Sequence, residues 1–147
     1  MQSFKFRLET LLKFRKMQKE EAQIAFWQAT KQFQIEKEEL ARLQGKLLEN
    51  INLLRTFQQQ MLSIETFKSF QYYFDKIKEE IHRQEGSVKR ADEYRQKCLN
   101  KLEEVVKNHK VVEKFREKKF QKYQVDLIKE EQKMLDEIGL QLYVREK

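Results

Sequence analysis

Apolar residues recur along this chain at alternating steps of three and four. Phe26, Phe33, Leu40, Leu47, Leu54 and Met61 stand seven apart, and a companion series runs Ala29, Glu36, Leu43, Asn50, Phe57, Ile64. That spacing keeps one stripe of a helix turned toward a partner helix, the seam of a coiled coil. Glu36 and Asn50 are polar intrusions, which fix register at some cost in stability. Before Phe26 the pattern continues less regularly through Phe4, Leu8, Leu11 and Leu12. A second seam follows: Ile77, Gln84, Ala91, Cys98, Val105, Val112 form one series, and Ile81, Val88, Arg95, Leu102, His109 the other. After Val112 the phase slips and resumes at Phe120, Leu127 and Met134. An extra four-residue step of this kind is a stutter, which locally unwinds a supercoil.

Both seams lose phase around residues 63–69, where Ser63, Thr66 and Ser69 are good helix-start residues. The pattern therefore predicts an all-α chain forming one hairpin over 1–147, a long two-helix antiparallel coiled coil. Its first helix covers about 3–62, its turn about 63–69 and its second helix about 70–143. Folding about residue 66 sets Lys5 beside Leu127 and Lys13 beside Lys119. Everything after about Asp126 to Glu130 then projects as a single helix. At 1.5 Å per residue the paired part is roughly 90 Å long and the overhang roughly 20 to 25 Å. Five aromatics crowd Phe67 to Phe74, either as a plug closing the turn or as a docking surface.

Composition strengthens the helical reading. The chain has no proline and three glycines, and 37% of its residues are charged. A typical chain of this length would hold roughly seven prolines, and each would break a hydrogen bond inside a helix. Gly45 and Gly86 lie inside the seams, and Gly139 lies near the C-terminus. Eleven Phe, five Tyr and one Trp argue against disorder. The single cysteine, Cys98, allows no intramolecular disulfide and fits a reducing compartment. No run of about 18 apolar residues exists to span a membrane. The first residues carry too many Lys and Arg for a secretory signal. The expectation is a cytoplasmic protein.

Catalysis needs convergent groups in a cleft that excludes water, and a two-helix seam offers none. Cys98 and His109 lie on one helix about 16 Å apart, too far for a nucleophile and its base. His82 and His109 are too distant to share a metal, and no zinc-binding spacing or glycine-rich phosphate loop occurs. Acid pairs such as Glu38-Glu39, Glu79-Glu80 and Glu130-Glu131 read as solvated faces. The sequence predicts no enzyme, no cofactor and no metal.

Charge is more informative. The net charge is +7, with six basic and two acidic residues in 1–20 and five and two in 112–125. The hairpin brings these stretches together as a basic collar. From Asp126 onward the sign reverses, with six acidic and four basic residues. Basic patches bind nucleic acid by counterion release, but no recognition motif accompanies this one. An acidic protein partner is the preferred reading, a solvated face the plainer one, and nucleic acid is not expected.

Particular residues point further. The opening Phe4-Lys5-Phe6-Arg7-Leu8-Glu9-Thr10-Leu11-Leu12-Lys13-Phe14-Arg15 resembles the start of the FliJ family of flagellar type III export proteins. The block Val112-Glu113-Lys114-Phe115-Arg116-Glu117-Lys118-Lys119 and the later Lys133-Met134-Leu135-Asp136-Glu137 resemble that family in the same order and at the same separations. The resemblance implies a coiled coil similar to the central stalk of rotary ATPases. It also implies partners: the hexameric export ATPase, the cytoplasmic domain of the membrane export gate, and export chaperones handed back for reuse. The role would be non-enzymatic, in flagellum biogenesis and motility. The protein would be cytoplasmic, peripheral at the inner face of the membrane when docked, and not inserted. The stalk of a virulence secretion system and a generic coiled-coil scaffold are the alternatives.

Carried over residue by residue, the resemblance implies ATPase contacts at Arg7, Leu8, Leu11, Leu12, Arg15, Asp136 and Glu137. It implies export-gate contacts at Leu43, Tyr73 and Ile77. Lys46 and Asn50 stand where the family can carry aromatics, a departure on the gate side. The heptad pattern gives Leu8, Leu11, Leu12, Leu43 and Ile77 a competing role as seam residues.

Overall fold

The structure is a computed structural model that describes residues 3–146. Those residues form two helices, α1 (Glu9–Gln58, 50 residues) and α2 (Ile64–Glu146, 83 residues). No strand occurs among them. The fold is the all-α, two-helix antiparallel coiled coil that the seams predict. Contacts divide the chain into two units to which both helices contribute: Glu21–Leu102, and Met1–Glu20 with Glu103–Lys147.

In the unit Glu21–Leu102 the seam is where the heptads place it. Every seam position of α1 from Phe26 to Leu54 and of α2 from Ile77 to Leu102 is buried or half-buried. Ala29, Leu43 and Ile77 are the most enclosed. Asn50 donates within α1, to the Lys46 carbonyl oxygen at 2.7 Å, whereas Glu36 and Arg95 are matched across the seam. Gln84 Nε2 donates to the main-chain oxygen of Glu36 at 2.9 Å and also to its carboxylate. The Arg95 guanidinium lies over the Phe33 ring at 5.0 Å, a cation held against the negative face of a π-system.

The reversal falls earlier than predicted. α1 ends at Gln58 and α2 begins at Ile64, so residues 59–63 make the turn and 64–69 are already helical. Ser63 is the reason. Its Oγ accepts from the Thr66 amide at 3.2 Å and sits 2.8 Å from Thr66 Oγ1. Its carbonyl oxygen accepts the first helical bond, from the Phe67 amide at 3.1 Å. That is an N-cap satisfying an otherwise orphan donor. The seam is silent over this first turn of α2, which made a capped helix look like a loop. Phe70 stacks toward Phe57 at 5.8 Å and Phe74 at 6.2 Å, so part of the aromatic run closes the turn. Tyr72, Tyr73 and Phe67 remain exposed.

In the other unit, α1 starts at Glu9 rather than at about residue 3. Residues 3–8 are non-helical because Phe4 and Phe6 lay their rings on α2 instead of continuing a helical stripe. Phe4 meets Phe120 edge-on at 5.1 Å and Tyr123 at 5.5 Å, and Phe6 meets Phe115 at 5.8 Å. These α2 partners are earlier than folding about residue 66 implies, in keeping with the earlier turn. The predicted slip to Phe120, Leu127 and Met134 is seen only at Leu127: Phe120 and Met134 are exposed, while Arg116 and Tyr123 keep the old phase half-buried past Val112. Beyond Leu127 every described residue, 128–146, is exposed.

Candidate functional site

The first candidate surface is built around the N-terminal segment. Glu9 opens α1, where a carboxylate faces the positive end of the helix dipole. Arg116 Nε donates to Glu9 Oε2 at 2.9 Å, and the same guanidinium lies 5.6 Å from the Phe4 ring centre. This clasp holds residues 3–8 against α2. Arg7 and Leu8 are exposed, with Lys5, Phe115, Lys119 and Asp126 and beside the half-buried Tyr123, around an open groove of about 1050 Å³. A second groove of about 380 Å³ shares Leu8 and Phe115 and is completed by Val111, Val112, Lys114 and Lys118.

The residues expected to meet an ATPase thus separate into groups. Arg7 and Leu8 face the grooves. Leu11 and Leu12 are half-buried, in keeping with seam packing. Arg15 is also half-buried: its guanidinium donates to Gln18 Oε1 at 3.3 Å, while its buried Nε has no protein partner. Asp136 and Glu137 are exposed on the last part of α2, beyond Leu127. Sequence reasoning missed the clasp of Phe4, Glu9 and Arg116. Alternation of Phe4 and Phe6 was the available signal, since a period of two is foreign to a helix.

On the unit Glu21–Leu102, the two readings of Leu43 and Ile77 separate cleanly. They are 5% and 2% exposed and belong to the seam, so they offer no surface to a gate. Tyr73 does, at 39% exposed, and Tyr72 beside it is more open still. Lys76 Nζ lies over the Tyr72 ring at 5.0 Å.

No three His, Cys, Asp or Glu converge on a metal-sized site among the described residues. None of the described helices is long and apolar enough to cross a membrane. Cys98 is half-buried in the seam. His109 is buried there too, its Nδ1 3.4 Å from Glu113 Oε2. The Arg42 guanidinium holds the Glu39 carboxyl below its ordinary range by hydrogen bonding, on a solvent-facing turn of α1.

A capped antiparallel helix pair, open grooves at the start of α1 and a long exposed helix end define a two-helix coiled-coil protein. The comparisons give that class a family. Residues 4–147 match the family described as Flagellar FliJ protein, and the chain belongs to it. A solved structure described as a YscO homolog, CT670 of Chlamydia trachomatis, shares the fold with a TM-score of 0.62. It is 16% identical, with 96% of each chain covered. No curated protein matches the sequence.

Proposed function

We propose that this chain is the non-enzymatic stalk of a flagellar type III export apparatus, docking on the hexameric export ATPase through its termini. The observation that carries the reading is the stretch 128–146. It is helical throughout and wholly exposed, and it holds Asp136 and Glu137. A helix of that length, exposed at every described residue, offers a surface to another protein. The basic residues around the two grooves, with Arg7 and Leu8 exposed among them, supply a second contact for the same ring. Such a stalk acts by differential binding, biasing the ring only as far as it contacts the ring's states unequally.

Export-gate binding belongs to this proposal through Tyr73 and its exposed neighbours, with Leu43 and Ile77 supporting them from within the seam. Chaperone escort and peripheral docking at the membrane follow from the same family role. A second reading, the stalk of a virulence secretion system, uses the same fold and the same surfaces.

The test is capture from cytoplasmic extract on the tagged full chain. Recovery of a hexameric flagellar export ATPase supports the proposal, and recovery of a virulence-system ATPase supports the second reading. Recovery of neither, with the chain folded, removes both.

A further inference from the structure

We propose that the acidic C-terminal stretch of one copy docks in the lysine-rimmed groove of a second copy, so that the free chain pairs with itself. The groove is the smaller of the two, with Leu8, Val111 and Phe115 as its apolar floor and Lys114 and Lys118 at its edge. Its residues Val111 and Phe115 are exposed. The stretch beyond Leu127 carries Ile128, Leu135, Ile138 and Leu142, all more than half exposed. Scattered apolar residues on a surface need no partner, but a stripe at helical spacing on an exposed helix face calls for one.

The two surfaces are opposite in charge. Residues 1–20 and 112–125 together hold eleven basic and four acidic groups, while 126–147 hold four and six. They also match in register. Val111, Phe115, Lys118 and Lys122 step by four, three and four along α2, and Leu142, Ile138, Leu135 and Glu131 step identically in the opposite direction. Laid antiparallel, Leu142 covers Val111, Ile138 covers Phe115, Leu135 lies along the Lys118 stem and Glu131 reaches Lys122. Laid parallel, the same stripes would set Glu131 on Val111 and Leu142 on Lys122. The antiparallel arrangement wins on both ends.

The docking stretch comes from another copy because a chain cannot serve itself. α2 is unbroken to Glu146, which holds Leu135 about 25 Å beyond Lys118 at 1.5 Å per residue. Pairing hides Leu8 and crowds Asp136 and Glu137. If those residues meet the ATPase as proposed above, the paired form is one that the ring must open. That consequence rests on the ATPase reading; the pairing does not.

Sedimentation velocity of the full chain over a range of concentrations tests the pairing without any ATPase. The expected result is a monomer–dimer equilibrium that weakens with added salt. Lys118→Glu with Lys122→Glu should weaken it about tenfold, and Glu131→Lys added to that chain should restore much of the loss. In a Cys98→Ser background, a Val111→Cys chain mixed with a Leu142→Cys chain should give the mixed disulfide on oxidation. A monomer at every concentration overturns the proposal. So does a dimer indifferent to the charge reversals, or one that joins Leu142→Cys only to itself.

Discussion

Gln84 Nε2 donates across the seam to both the main-chain oxygen and the carboxylate of Glu36. Two half-buried polar residues therefore satisfy each other where the heptads call for apolar ones. Replacing Gln84 with Leu leaves the partly buried carboxylate only the Gln32 amide as donor, and unfolding should show a loss of about 1.5 kcal/mol. Glu36→Leu added to Gln84→Leu should recover the loss or exceed wild type, because an apolar pair packs without desolvated charge. A double variant no more stable than Gln84→Leu alone would show that the pair is not coupled.

Ser63 caps α2 through the Thr66 amide. Ser63→Ala should lower stability by about 1 kcal/mol, measured as the urea midpoint at unchanged slope, with Ser63→Asp retaining wild-type behaviour. An effect at Ser69→Ala instead would place the helix start where the seam pattern first suggested.

Gly45 lies inside α1 with open space where a Cβ would stand, nothing being within 4 Å. Gly45→Ala should therefore raise stability by about 1 kcal/mol, the helix-propensity difference. A rise in the thermal midpoint checks it, and a fall would mean that the flexibility or the space serves a contact.

Glu39 should titrate below the ordinary glutamate value because Arg42 donates to it twice. A carboxyl with a lowered folded pKa stabilises above its unfolded pKa, and the contribution disappears as pH falls through the folded value. Both side chains are largely open to solvent, so the stability effect is small. NMR titration of Glu39 in wild type and Arg42→Ala should show the pKa rising when the guanidinium is removed.

The seam of this chain was legible in its sequence because burial and heptad spacing are the same fact seen twice. Positions from Phe26 to Leu54 and from Ile77 to Leu102 needed no other information. The turn was misplaced because a helix start is written in one hydrogen bond, between Ser63 and Thr66, and not in periodicity. The N-terminal segment was taken as helix because Leu8, Leu11 and Leu12 continue an apolar pattern. The rings of Phe4 and Phe6 bind residues on α2 that no local rule links to them. On the candidate surfaces, sequence separated the basic and acidic ends but could not say which leucines point outward. Leu8 does, whereas Leu43 does not.

If the exposed end of α2 works on an export ATPase, its removal must change hydrolysis. Hydrolysis by the purified ATPase is to be measured with the full chain and with a chain ending at Leu127. Circular dichroism should show the shortened chain still helical and folded, since every described residue beyond Leu127 is exposed. The full chain should stimulate hydrolysis, and the shortened chain should lose most of that stimulation. Equal stimulation by the two would contradict a role for this stretch on the ATPase.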